Sequence, residues 1–343
     1  MCMNEQDITV LNERFNIGIY PDVSSDGIGT YIKGINRYLK VSVVPCANHL
    51  LSPQQFLRKV PENFDLLHVP HFVVPLQRRH SKIVCTIQDI TPLVFKGGLN
   101  PGLTLYLKFR IYWSIRVADY LIFTSTNTYN DVVRMFGPVR KYSIIPLGVD
   151  NPVPPHQIPQ LEYPFRFFFC VGRRRPHKNI TRILKAFAMV AEKLDCHLIF
   201  GGKEDIKDSE YQALSAKLGI KDRIHYTGFL TLEELAAHYH ASIALIFSSL
   251  YEGFGLPILE AMSYGCPVIT SNLSSMPEIA GDAALLVDPY DMDSIVHAMH
   301  RIAQDSNLRE DLVQKGYANV KRFSWELTAN RTAAVYSKVL SGF

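Results

Sequence analysis

SIALIFSSLYEGFGLPILEAMSYGCPVITS, residues 242–271, holds a complete strand–loop–helix–strand passage. Its first eight residues form an apolar run closed by two serines, as a buried strand does. Residues 251–255 carry two glycines, and residues 256–264 have helical spacing. Pro257 falls in the first helical turn, where a missing N–H leaves nothing unpaired. PVITS (267–271) then returns as a second strand. Two buried strands joined through a helix lie parallel in one sheet, with the helix covering a face.

The same alternation extends outward. FRFFFCVG (165–172), CHLIFGG (196–202) and RIHYTG (223–228) read as strands, separated by helical patterns at 180–194, 209–218 and 232–240. Further toward the start, FNIGIY (15–20), DLLHV (65–69), KIVCTI (82–87) and YLIFT (120–124) read as buried strands, with helical spacing at 29–39 and 103–117. Between the two series, DNPVPPHQIPQLEYP (150–164) holds five prolines and no periodicity, which describes a linker. The expected architecture is α/β: two Rossmann-like, doubly wound domains at 1–155 and 156–323. A hinge near 155 would let the carboxyl ends of both sheets face a shared cleft, where open α/β sheets bind ligands. The closing stretch, 324–343, is helical in pattern and is expected to pack back on the first domain.

Composition agrees with a globular enzyme, 47% hydrophobic and 20% charged. The net charge of +4, from 36 basic and 32 acidic residues, suits an anionic substrate or an acidic membrane surface and does not indicate nucleic-acid binding. Six cysteines form no CxxC pair and read as reduced, buried thiols. The polar start lacks a signal-peptide core, and no apolar run approaches the length of a membrane span. Action in the cytoplasm is expected, at most on the inner face of a membrane.

The backbone N–H groups around Phe254, Gly255 and Leu256 fall at a helix N-terminus, where they suit phosphate oxygens. Glu260 follows Glu252 by eight residues, which keeps the carboxylates within about 12 Å. One carboxylate can hold hexose hydroxyls and the other a ribose, with a diphosphate between. On chemistry alone the same residues equally suit an exposed turn and a surface helix.

EGFGLPILE resembles the E-x7-E element of glycosyltransferase family four, the retaining GT-B enzymes. VGRRRPHKNITRILKAFA (171–188), YTGFLTLEELAAHYHAS (226–242) and SNLSSMPEIAGDAALLVDPYD (271–291) are similar to other motifs of that family. The likeness continues more thinly through GIGTYIKGI (27–35), LLHVPHFVVP (66–75), TIQDITPL (86–93) and IIPLGVD (144–150). It implies a GT-B fold in which Glu252 contacts the donor sugar and Glu260 the ribose. Lys178 and one arginine, Arg173 ahead of Arg174 and Arg175, would neutralise the pyrophosphate. Gly29 would offer its backbone to the donor phosphate, although Gly27, Ile28 and Gly29 lack the third glycine of a dinucleotide fingerprint. The implied donor is a nucleotide diphosphate sugar, GDP-mannose first and a UDP-sugar second. The implied acceptor is a glycan or lipid-linked molecule of surface-polysaccharide assembly.

Relatives carry a His-Asp pair where this chain has Gln88 and Asp89. Glutamine cannot take up a proton at useful pH. Either position 88 serves recognition, or His71 or Asp89 assumes the task. Asp89 is a candidate for orienting the acceptor, and equally reads as a strand-end turn carboxylate. A retaining front-face reaction needs no side-chain base, because the departing phosphate takes the acceptor's proton. A catalytically silent, nucleotide-sugar-binding scaffold is the alternative that Gln88 raises. Asp291 and Asp293 mimic a metal-binding DxD pair but sit at a helix start. No metal and no cofactor beyond the donor substrate is therefore expected. In residues 103–117, aromatic side chains are expected on the sheet and arginines in water, with membrane contact as the other reading.

Overall fold

The computed structural model describes residues 3–22, 27–45, 52–57, 64–77, 81–95, 100–150, 152–205 and 207–342. The chain forms two compact units, Met1–Asp150 with Phe323–Phe343, and Asn151–Arg322.

The first unit runs α1 (Glu5–Arg14), β1 (Ile17–Asp22), α2 (Gly27–Leu39), β2 (Ser42–Pro45), α3 (Pro53–Leu57), β3 (Leu66–Val69), β4 (Lys82–Ile87), α4 (Thr91–Val94), α5 (Pro101–Val117), β5 (Tyr120–Phe123), α6 (Thr126–Phe136) and β6 (Tyr142–Ile144). Among the described residues its sheet has the order β2-β1-β3-β4-β5-β6, every pair parallel. Its core gathers Tyr20, Leu67, Val69, Ile83, Ile87, Ile111 and Phe123. The order reverses between β1 and β3, so ligands are expected beyond the carboxyl ends of those two strands.

The second unit runs β7 (Arg166–Val171), α7 (Ile180–Leu194), β8 (Cys196–Gly201), α8 (Asp208–Lys217), β9 (Ile224–Gly228), α9 (Leu232–Ala241), β10 (Leu245–Phe247), α10 (Leu256–Ser263), β11 (Val268–Ser271), α11 (Met276–Ala280), β12 (Leu285–Val287), α12 (Met292–Gln304) and α13 (Ser306–Val320). Its parallel sheet has the order β12-β11-β10-β7-β8-β9, which reverses between β7 and β10. Phe168, Leu184, Phe187, Leu198, Ile246, Ile269 and Met299 fill its core. Part of the proline-rich stretch belongs to this unit. Val153 is buried, and its N–H donates to the Tyr264 hydroxyl at 3.1 Å.

The chain ends in α14 (Trp325–Leu340), which packs in the first unit on α1, α2 and β4. Ser324 caps it by accepting from the Leu327 N–H at 3.1 Å. The buried Tyr336 hydroxyl lies 2.6 Å from His68 Nδ1, and His68 Nε2 lies 2.8 Å from Thr86 Oγ1. Tyr31 of α2 joins the same chain through Thr86 at 3.1 Å. His68 thus links β3, β4, α2 and α14 with both ring nitrogens occupied.

The face that α5 buries differs from the one its sequence suggests. Leu107, Arg110, Ile111 and Ser114 point inward, whereas Leu105, Phe109 and Tyr112 are exposed. Arg110 is fully buried, with Nη1 donating to the Tyr106 hydroxyl at 2.7 Å and its guanidinium 4.4 Å from the centre of the Phe56 ring. Helical spacing selects the inward face by position, and a hydroxyl and an aromatic ring accommodate the arginine there.

Candidate functional site

The reversal in the second sheet makes β7 and β10 neighbours, so the loops leaving their carboxyl ends meet. The β7 loop carries the three arginines. Arg174 is buried and grips both oxygens of Asp208 with Nε and Nη2, while Nη2 also donates to the Lys203 carbonyl at 3.0 Å. Burial pushes the Asp208 carboxyl up, but hydrogen bonds from Arg174 and the Asp205 amide outweigh it and leave the pKa lowered. Arg174 is thereby committed to shaping the loop. Arg173 and Arg175 stay exposed, Arg175 at 3.8 Å from Asp205.

Two contacts join this loop to the one after β10. The Leu250 N–H donates to the His177 carbonyl at 2.7 Å. Asn179, buried and left-handed at φ 62°, donates from Nδ2 to the carbonyls of Ser248 at 3.1 Å and Pro289 at 2.7 Å. Asparagine tolerates that backbone conformation and supplies two donors in one amide. Lys178 and Glu252 consequently meet, with Nζ 2.7 Å from Oε1. Among the described residues Glu252 Oε1 has no hydrogen-bond partner, so its contact with Lys178 is an ion pair. The lysine ammonium also sits 4.4 Å from the Phe247 ring centre.

The β10 loop is held from its other side by SNLSS. Ser274 Oγ donates to the Glu252 carbonyl at 2.6 Å and lies 3.2 Å from the Glu252 N–H. Ser275 Oγ donates to the Phe254 carbonyl at 2.7 Å. Gly255 then turns the chain at φ 114°, ψ 46°, a region that disfavours side chains, and α10 starts without a side-chain cap. An uncapped helix start offers N–H groups and a partial positive charge to an anion. One turn into α10, Glu260 Oε2 accepts from the buried Tyr239 hydroxyl at 2.8 Å. Burial, and then the Glu260 charge, keep that hydroxyl's pKa well above its usual value. It therefore acts as a fixed donor that orients the carboxylate.

Asn179, Ser274 and Ser275 were not singled out from the sequence, although all three lie inside motifs quoted for the family. Their polarity is ordinary for loops, and only the fold reveals that they tie two loops together. His177 also lies beside the pair. Burial lowers its pKa despite the opposing influence of Glu252, which favours a neutral ring.

In the first unit, Gly29 lies buried in the first turn of α2, which follows β1. His71 follows β3, and burial, reinforced by the Arg110 charge, lowers its pKa to about 3. Gln88, just beyond β4, donates from Nε2 to the Pro70 carbonyl at 3.0 Å. Its amide thus ties the loops after β3 and β4, a structural use for the glutamine. Asp89 Oδ1 accepts from the Thr91 N–H at 3.0 Å, as a turn carboxylate does. All four positions follow strands at the carboxyl edge of one sheet. Asp291 accepts from the Asp293 N–H at 3.0 Å and caps α12. Among the described residues no cluster of three His, Cys, Asp or Glu side chains is placed to hold a metal.

Comparison with known proteins bears on the family and the fold. Residues 156–319 match the model for glycosyl transferases group 1, and residues 33–151 match that for glycosyltransferase family 4. The O-antigen chain mannosyltransferase B of Escherichia coli is 30% identical over 302 residues, covering 84% of this chain and 79% of that protein. An MMP alpha-(1->4)-mannosyltransferase of Mycolicibacterium hassiacum is 30% identical over 226 residues, covering 64% and 54%. Among solved structures, a sucrose-phosphate synthase from Thermosynechococcus elongatus superposes with a TM-score of 0.78 over 95% of this chain and 99% of that one, at 20% identity. The chain shares their GT-B fold and belongs to the group 1, family 4 glycosyltransferases.

Proposed function

We propose that the protein transfers mannose from GDP-mannose to a glycan or lipid-linked acceptor in polysaccharide assembly, retaining the anomeric configuration and using no divalent cation. The observation that carries this reading is the Lys178–Glu252 pair, set at the strand-order reversal beside the uncapped start of α10. As the bond from the anomeric carbon to the leaving phosphate oxygen breaks, negative charge grows on the phosphate. Lys178, Arg173 and the N–H groups at the start of α10 stabilise that charge, so a metal has no remaining task. Glu252 holds the sugar's hydroxyls and Glu260 the ribose. The acceptor hydroxyl attacks from the face the phosphate leaves and passes its proton to a phosphate oxygen. Gln88 is then no obstacle, because no side-chain base is required.

The mannosyl choice is supported by the names of the relatives above, both mannosyltransferases. No helix among the described residues is long and apolar enough to cross a membrane. The exposed Leu105, Phe109 and Tyr112 of α5, interleaved with exposed Lys108 and Arg116, support peripheral contact with an anionic lipid surface.

The test is to incubate the protein with GDP-mannose or UDP-glucose, with and without EDTA, and follow nucleotide release and product configuration by NMR. The expected result is α-linked product or α-mannose from GDP-mannose at an unchanged rate in EDTA. An inverted product or loss of turnover in EDTA overturns the mechanism. Nucleotide binding without any turnover supports the scaffold reading instead.

A further inference from the structure

We propose that Arg110, with His71 and Trp113, forms an oxyanion-binding subsite in the first unit that takes a phosphate or carboxylate group carried by the acceptor. Arg110 is fully buried, yet among the described residues its Nε and Nη2 donate no hydrogen bond. Among the described residues its hydrogen bond from Nη1 to the Tyr106 hydroxyl is the only one, and no carboxylate pairs with it. Among the described residues, His71 Nδ1 and Trp113 Nε1 are likewise buried without partners. Arg110 and Trp113 pack against one ring, that of Phe56. The guanidinium lies over Phe56, the Trp113 ring meets the same phenyl ring edge-on at 6.1 Å, and the Arg110 charge is felt at His71.

A buried guanidinium without a counter-charge is costly, because desolvation is not offset by an opposite charge. Buried polar groups without partners are rare in folded proteins, and a group of them calls for a ligand, an ion or water. Here the unmet capacity is mostly that of donors: the Nε–H and Nη2 hydrogens of arginine and the indole N–H. Arginine's planar fork matches the two oxygens of a phosphate or carboxylate. His71 can add a further donor once an anion is present to offset the arginine charge.

Position connects this cluster to the reaction. His71 follows the carboxyl end of β3, and the preceding Pro70 carbonyl is held by Gln88 at the end of β4. The subsite therefore lies at the sheet edge that carries Gln88 and Asp89, the acceptor-side residues. The assignment of the anion to the acceptor rests on the glycosyltransferase reading. Oxyanion binding itself does not.

The two are separable by experiment. Wild type and Arg110→Met are titrated with inorganic phosphate, acetate and glucuronate at constant ionic strength against chloride, without donor or acceptor, following Tm. Phosphate held at the donor-side Lys178 shifts both proteins alike, so the difference between them reads the subsite. The expected result is a saturable rise of several degrees in the wild type beyond that of Arg110→Met. A preference for phosphate over glucuronate identifies a phosphorylated acceptor, and the reverse preference a uronic acid. Equal shifts in both proteins for every anion overturn the proposal. If Arg110→Met does not fold, the Arg110 Nε–H resonance in nitrogen-15 spectra of the wild type decides. Movement on titration with phosphate supports the subsite, and a stationary resonance overturns it.

Discussion

Lys178 and Glu252 come from different loops, and the proposed transfer depends most directly on their ion pair. Glu252→Gln keeps the shape of the side chain and removes its charge. Turnover with the donor sugar is expected to fall by about 10²–10³-fold, the scale seen when one transition-state contact is removed. Tm should change little, because the loop remains tied through Leu250, Ser274 and Ser275. Steady-state kinetics beside a melting curve checks both halves. His68 supplies a prediction of a different kind. Burial lowers its pKa to about 3, whereas an unfolded histidine titrates near 6.5. Its contribution to stability is therefore complete above about pH 6.5. It declines by up to about 1.4 kcal/mol per pH unit as the pH falls toward the native value, because the unfolded chain takes up the proton first. Urea midpoints at pH 7.5 and 5.0 should show a larger acid loss in the wild type than in His68→Gln, which cannot titrate. An equal loss in both would place the acid sensitivity elsewhere. The family resemblance points to Lys178 and Glu252, whereas their spacing alone suits an exposed turn and a surface helix as well. It could not tell which of three adjacent arginines turns inward, since Arg174 is selected by its geometry toward Asp208. Nor could it reveal that Arg110 is buried, because the surrounding rings accept a charge that hydropathy assigns to water.

α14 is the element whose placement depends most on a single backbone approach. A Cβ added at Gly148 would overlap the Trp325 amide nitrogen and the Ser324 carbonyl carbon. Backbone cannot yield as a flexible side chain can, so the glycine in IIPLGVD is a contact requirement. Gly148→Ala should displace the start of α14 and cost about 1–3 kcal/mol, the range for overpacking. A lower Tm and faster proteolysis within residues 324–343 are the expected signs. Unchanged values for both would mean that the helix docks without this contact. Legibility at this scale follows position in the sheet. Among the described strands, β3, β4, β7 and β10 are central and apolar, and their runs stood out in the sequence. β2, β6 and β12 lie at sheet edges, are only three or four residues long and show no such run, whereas the edge strand β9 has five residues and is legible as RIHYTG. An edge strand has one neighbour and buries less, which leaves little hydrophobic pattern to read. The inward face of α5 was misread for a related reason, since aromatic side chains can serve a core or an exposed surface equally well.

At the scale of the molecule, each unit encloses its own hydrophobic core, while the proposed nucleotide grip lies wholly within Asn151–Arg322. A ligand that binds only folded protein raises stability by RT ln(1 + [L]/Kd), about 2.7 kcal/mol when its concentration is 100 times Kd. GDP should therefore raise the melting temperature of the second unit even without a sugar or an acceptor. If calorimetry resolves two transitions, the nucleotide should move the one assigned to residues 151–322. Lys178→Met should remove most of that shift, because the pyrophosphate loses its partly buried cation. The base tests the donor proposal separately. GDP producing a larger shift than UDP or ADP at equal concentration supports guanosine as the donor's nucleoside. Equal shifts would confine recognition to the ribose and diphosphate, through Glu260, Lys178 and the start of α10, and would remove the basis for preferring GDP-mannose. No shift from any of the three would overturn the nucleotide-sugar site itself, while leaving the membership of the chain in its family untouched.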